Sequence, residues 1–398
     1  MRRTVRFLVF ALAAWTSQLA GAQIPGIPQI QAGVRLTFYS SSATIRGSLQ
    51  QAVFKPDCDP TKEDCWVDAN GRTVGQEDVP TAAGHGFTQL DILYLDQETC
   101  VYRLTSYGQD ISTGHVTTLG SGGAVSSGGT CSDFWIAPAN LQQFQSLGGG
   151  LRVLRGPYTV GNLTFNAVNI GNFGAGASSH QSYDSVTGLL VVASSRSQGA
   201  AVPTIQGTSV VAGAGSSGLT YTQLLDVRQV PGVGIAERLP QHVLNANRLV
   251  YNCAQTTTVQ GVGGNQTPCH YEVAFGQRNE LWMHARARMQ VPDGITTMGS
   301  VNEAEEVVTA TGHGGFFAAP SLLAGVQAGA QLYSDPITGI TSFVEHVDQN
   351  VVVINERGNA EQRRYVYDRS SGWLLQLTID QLVGIGSYST RLELNSVQ

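Results

Sequence analysis

The chain has 398 residues, a net charge of −6 and 42% hydrophobic residues, enough for a sizeable core and a soft expectation of two domains. Only 13% of residues are charged, about half the usual globular share, and Lys occurs only at Lys55 and Lys62. That balance argues against general nucleic-acid or anionic-membrane binding, and 47 glycines fit an exported β protein with long loops better than a helical cytosolic one.

In chain order, Met1-Arg2-Arg3 with Arg6, the apolar run Phe7 to Ala14 and then Ala20-Gly21-Ala22 read as a signal peptide over 1–22. The apolar run is too short to cross a bilayer, and no later stretch is long and apolar enough to do so. Gln23 stands where a lipoprotein would need Cys. The expected location is therefore exported, periplasmic or extracellular. Six cysteines in such a chain read as disulfides, and local pairing gives Cys58–Cys65, Cys100–Cys131 and Cys253–Cys269. No Cys-x-x-Cys pair occurs, which removes zinc-ribbon and thioredoxin chemistry. The acidic group Asp57, Asp59, Glu63, Asp64 and Asp68 invites a calcium reading. Lys62 replaces the Gly of an EF-hand turn, and a disulfide-closed loop is the simpler account. No metal or cofactor is expected.

A phrase of Tyr, Asp, two residues, Thr or Ser, Gly and an apolar residue recurs. It stands at Tyr183-Asp184-Ser185-Val186-Thr187-Gly188-Leu189 and at Tyr367-Asp368-Arg369-Ser370-Ser371-Gly372-Trp373. A looser copy begins at Tyr333 with Asp335, Thr338 and Gly339, and a fourth begins at Tyr94 with Cys100 in place of Gly. Each reads as a hairpin tip. Asp accepts hydrogen bonds across the turn, Gly takes the left-handed conformation, and Tyr meets the apolar residue after Gly as a cross-strand pair. The phrase resembles the tip of a designed mini-hairpin, a likeness of shape alone.

A second shared phrase lies upstream, Phe134-Trp135-Ile136-Ala137-Pro138 matching Phe316-Phe317-Ala318-Ala319-Pro320. Pro138 precedes Tyr183 by 45 positions and Pro320 precedes Tyr367 by 47. The agreement implies a duplication, with a signal peptide over 1–22, a first β unit over 23–230 carrying loop insertions, and a second over 231–398. Each Pro starts a short helix, with Leu141, Phe144 and Leu147 on one face of the first and Leu322, Leu323 and Val326 on one face of the second. Period-two alternation marks strands, as in Tyr388, Thr390, Leu392 and Leu394, echoed by Leu219, Tyr221, Leu225 and Val227. The expected class is all-β with minor α, built as two tandem antiparallel units. Strings of such hairpins with a short helix resemble the half-barrel sheets of LolA-type lipoprotein carriers. That likeness implies acyl chains held between a concave sheet and helices, and no functional residue carries over from it.

Signatures of common secreted hydrolases are missing, among them Gly-x-Ser-x-Gly and His-Glu-x-x-His. The best-defined polar surface is Leu281 to Val291, where Trp282, His284, Arg286 and Arg288 alternate with Met283, Ala285, Ala287 and Met289. A strand there presents cations and an indole for a carboxylate, sulfate or sugar, or simply a solvated outer face. His85 and His313 sit between glycines that leave backbone room around the imidazole, although a loop position explains them equally. The leading expectation is a protein that binds a small molecule, lipid, glycan or protein partner, on a concave sheet or between units, without transforming it. A rival is a hydrolase or lyase using His284, Arg286, Arg288 and Glu345. A third possibility is a structural surface or matrix protein.

Overall fold

A computed structural model describes residues 29–45, 53–54, 66–67, 80–110, 112–145, 151–160, 163–174, 177–197, 203–206, 209–212, 217–259, 263–291, 302–312, 314–383 and 386–398. The signal-peptide residues, the Cys58–Cys65 pair, the acidic group from Asp57 to Asp68, Leu147 and His313 lie outside the described residues.

The described residues form mostly antiparallel β-strands with three short helices. Up to residue 231 these are β1 (Val34–Ile45), β2 (Val53–Phe54), β3 (Trp66–Val67), β4 (Pro80–Leu95), β5 (Thr99–Gln109), β6 (Val116–Ser127), β7 (Thr130–Cys131), β8 (Trp135–Ile136), α1 (Pro138–Gln143), β9 (Leu151–Val160), β10 (Leu163–Gly174), β11 (Ala177–Asp184), β12 (Leu190–Ser197), β13 (Pro203–Gln206), β14 (Ser209–Ala212) and β15 (Ser217–Gln229). Beyond it come α2 (Gln241–Leu244), β16 (Arg248–Val259), β17 (Gly263–Arg278), β18 (Trp282–Gln290), β19 (Asn302–Thr309), α3 (Pro320–Gly325), β20 (Gln331–Ser334), β21 (Thr341–Val347), β22 (Val351–Arg357), β23 (Glu361–Asp368), β24 (Leu374–Val383) and β25 (Gly386–Val397).

Two large sheets share one plan. The first, of nine strands, runs β6-β5-β4-β1-β15-β12-β11-β10-β9, and the second, of ten, runs β19-β18-β17-β16-β25-β24-β23-β22-β21-β20. In each, the first strand of the unit pairs with the last, so the opening falls between the strands that flank the Pro-led helix. The second sheet curls round one core, because Val308 of β19, Val344 of β21 and Leu323 of α3 belong to the same cluster as Tyr251, Met283, Ala285, Ile354 and Leu392. A separate core gathers Leu36, Phe38, Leu90, Ile92, Val168 and Tyr183 around Leu141 of α1.

The two phrases shared by the units meet in space. Ile136 N–H donates to Gly188 O and Leu190 N–H to Phe134 O; likewise Ala318 N–H donates to Gly372 O and Leu374 N–H to Phe316 O. Tyr183 Oη donates to Asp133 O at 2.8 Å and Tyr367 Oη to Gly315 O at 3.0 Å. Each hairpin tip therefore clamps the strand that leads into the helix. Gly is required there twice over. Its φ is +78° at Gly188 and +81° at Gly372, and a Cβ would lie 2.0 Å from Ile136 O and 2.4 Å from Ala318 O.

Several expectations are corrected by local geometry. Tyr183 and Tyr367 face Leu190 and Leu374, not the residues straight after Gly, because the register shifts at the tip. Leu189 and Trp373 instead bridge to Trp135 and Phe317. The fourth phrase forms a tighter turn, Asp96 N–H to Thr99 O, which needs no glycine and leaves Cys100 in β5. Helix α1 ends before Phe144, which departs in an extended conformation and is exposed, whereas Leu141 is fully buried. Leu225 points outward because a bulge shifts β15 against β1, and Leu224 and Val227 pack on the core instead. Cys100–Cys131 and Cys253–Cys269 stand at disulfide distance, with Cα separations of 5.5 and 4.6 Å.

Candidate site at the seam between the sheets

The strand expected over Leu281 to Val291 forms as β18, with Met283, Ala285 and Ala287 in the core. Its outer cations face an acidic partner strand. His284 Nε2 lies 2.6 Å from Glu305 Oε2, Arg286 Nη2 3.1 Å from Glu305 Oε1, and Arg288 Nε 3.5 Å from Glu303 Oε1. Trp282 does not join them at the surface. It is buried in an apolar seam with Leu93, Val101, Val230, Val233 and Val307, contributed by both units and the segment between them. Glu345 of the rival reading accepts from Asn355 at 3.0 Å and from Arg364 at 3.2 Å, and so is engaged apart from the β18 cations. His85 has Tyr39 Oη 2.5 Å from its Nδ1. Among the described residues no group of His, Cys, Asp or Glu is arranged to hold a metal ion.

The polar half of the same seam brings together side chains that sequence reasoning passed over. On β22 the core-facing row Val352, Ile354 continues into Glu356, and on β23 the row Tyr367, Tyr365 continues into Arg363 and Glu361. The interior of the second sheet thus turns polar at one end. The outer face of the first sheet covers that end, with Arg35, Asp91, Arg103, Thr105, Tyr107 and Ser121 lining a shared cavity of about 50 Å³ together with Tyr333, Glu356, Arg363 and Tyr365.

Three arginines enter this cavity in different states. Arg35 is committed: Nε donates to Asp91 Oδ1 at 2.6 Å, Nη2 to Asp91 Oδ2 at 2.9 Å, and its Cζ lies 5.1 Å from the Tyr333 ring centre. Burial alone would lower its pKa, but Asp91 holds it well above the ordinary value. Arg363 pairs with Glu361, whose Oε2 also accepts from Thr118 N–H of β6 at 2.6 Å and from Gln381 Nε2 at 3.0 Å. Burial pulls Arg363 down, while Tyr365, Glu361 and Glu356 outweigh it and keep the guanidinium charged.

Arg103 differs. Among the described residues, no hydrogen bond or ion pair engages its guanidinium. Its cross-strand neighbour Asp91 has given both oxygens to Arg35. Arg103 extends instead toward the second unit, where Cβ atoms on Gly314 and Gly315 would lie 3.3 and 2.9 Å from Nη1 and Nη2. The room beside Gly314 and Gly315 is occupied by Arg103. Burial pushes the Glu306 carboxyl up to about 7, against the opposing pull of the Arg103 charge.

Three phenols complete the lining. Burial raises the pKa of Tyr107, Tyr333 and Tyr365, so all three are neutral donors. Tyr333 Oη and Tyr365 Oη each donate to Glu356 at 3.1 Å.

The third copy of the hairpin phrase anchors the seam. Asp335 Oδ1 accepts from Ile337 and Thr338 N–H at 2.9 and 3.1 Å, holding its own turn. Oδ2 meanwhile enters the first unit, accepting from Gln89 Nε2 at 2.5 Å and Arg35 Nη1 at 3.3 Å, with Arg228 Nη2 2.6 Å away as an ion pair without hydrogen-bond alignment. Burial would raise this carboxyl, but the bonds from Gln89 and the Thr338 backbone and the Arg228 charge hold it below the usual range. The connecting segment ties in as well, Ile235 N–H donating to Leu93 O and Gly312 N–H to Gly232 O.

No family model matches the chain, and no curated protein matches it. Among solved structures it aligns with a protein of unknown function from the DUF3598 family of Nostoc punctiforme, over 92% of this chain and 96% of that one, at 8% identity and a TM-score of 0.14, a likeness too slight to carry any argument.

Proposed function

We propose that the protein is an exported binding protein that holds, without transforming it, a ligand whose polar head enters the seam between the two sheets. The observation that supports this reading is the cavity itself. Charged groups from two units converge on a space of about 50 Å³, and Arg103 brings a charge with no paired carboxylate among the described residues. Arg103 is half-buried, and a guanidinium drawn partly out of water without a hydrogen-bonded acceptor is stabilised by gaining one, which at a concave site favours a ligand over simple cohesion. The volume admits roughly three waters, which is a head group and not a whole lipid. An acyl carrier of the LolA type would need an apolar enclosure, and the lining here is polar. The disulfides Cys100–Cys131 and Cys253–Cys269 are compatible with the oxidising compartment that export implies.

Native mass spectrometry after mild purification, with a thermal-shift screen of carboxylates, sugars and lipids, tests the proposal. A co-purifying mass, or a saturable shift that Arg103→Gln weakens, is the expected outcome. A clean apo mass with no response to any class would sink it in favour of a structural role.

A further inference from the structure

Resting on the reading of the seam as a binding site, the geometry points to a carboxylate as the group that Arg103 recognises. Four observations carry this. First, Arg103 lies on β5 with its partner position on β4, Asp91, engaged bidentately by Arg35 and not bonded to Arg103. The fork of Arg103 therefore remains open to an outside acceptor. Second, a planar guanidinium matches a two-oxygen acceptor with two parallel hydrogen bonds, a match that a hydroxyl or an amide does not reproduce.

Third, hydroxyl donors stand in the next position of the same face. Thr105 follows Arg103 at period two, Ser121 is its cross-strand partner on β6, and their oxygens lie 3.2 Å apart. Two hydroxyls so placed use one proton between them and have the other to donate into the cavity. Fourth, Gly314 and Gly315 bring backbone, with no side chain, against the guanidinium on the side of the second unit. A side chain at either glycine would crowd the guanidinium, which also lines the cavity. The small volume selects a terminal carboxylate over a bulkier anion such as a phosphate diester.

The test uses the full-length chain and sodium acetate, with sodium chloride at equal ionic strength and acetamide as the neutral isostere. Acetate is expected to raise the unfolding midpoint saturably in the natural protein and in Arg286→Gln, an outer-face control, while acetamide leaves it unchanged. Arg103→Gln should weaken the apparent acetate affinity at least tenfold. Arg103→Lys, which keeps the charge but loses the fork, should weaken it several-fold and decides the matter should the Gln variant fold poorly. An equal acetate response in the natural protein and both variants overturns the assignment, as does an equal response to acetamide. If acetate is inert but a neutral ligand co-purifies, the carboxylate assignment falls while the binding reading stands. If neither binds, both fall.

Discussion

Glu306→Gln separates the charge of the seam from its shape. Glu306 sits on β19 with its carboxyl pushed up to about 7 from an ordinary 4.5, and Arg103 is the opposing positive influence. Below pH 4.5 the group is protonated folded and unfolded, so it has no effect on the pH dependence. Between 4.5 and 7 the folded chain retains a proton that the unfolded chain has released, and stability falls as pH rises. Above 7 both states are ionised and the loss stays constant. At about 1.4 kcal/mol per pH unit the full loss is about 3 kcal/mol. Gln is isosteric with the protonated acid. The variant should therefore match the natural protein near pH 4.5 and exceed it by about 3 kcal/mol at pH 8. Urea unfolding at a series of pH values measures this, and the difference between the two proteins cancels every other titrating group. Parallel pH curves would refute the assignment of a raised carboxyl. Arg103→Gln should extend the decline to higher pH and enlarge the total loss, with the slope per pH unit unchanged, and adding Glu306→Gln to it should restore the alkaline stability, since the residual charge then has gone.

Three further outcomes follow from the same structure. Asp335→Ala should cost about 3–5 kcal/mol, the toll of stranding buried guanidinium charge, whereas Asp368→Ala at the equivalent turn should cost about 1–2 kcal/mol for lost turn bonds; equal costs by urea titration would remove the anchoring role of Asp335. Gly188→Ala should destabilise at least twice as much as Gly339→Ala. Both have positive φ, but only the first would drive a Cβ to 2.0 Å from a carbonyl oxygen, and the second meets nothing within 4 Å. Removing Cys100–Cys131, which spans 31 residues, should cost about 4 kcal/mol against about 3 for Cys253–Cys269, which spans 16; identical thermal shifts would show that loop length is not what sets their contribution.

Period and turn chemistry make the scaffold readable from sequence, and the same rules hide the site. Alternation placed Met283, Ala285 and Ala287 inside, and the Asp and Gly positions located the tips, because both signals are local. Arg35, Gln89, Asp91 and Arg103 obey that alternation too. Each falls on the outward face of its strand, where a local pattern can only mean solvent. The burial of Arg35, Gln89 and Asp91 is imposed by the second unit, and the partner of two of them, Asp335, lies 300 positions from Arg35 and 246 from Gln89. Local signals do not span such separations. Glycines are silent in the same way, since the room at Gly314 and Gly315 is taken by an arginine of another sheet, which no local pattern announces. The repeated phrase nonetheless held a usable clue. A turn of this kind needs only one carboxylate oxygen, as Ile337 and Thr338 show by both bonding Oδ1 of Asp335. The second oxygen is free for another task. In Asp184 it has no partner among the described residues, whereas in Asp335 it joins two sheets. The acid-tipped hairpin at Asp335 of the second sheet is thus the means by which outward side chains of the first sheet, Arg35 and Gln89, are turned into an interior.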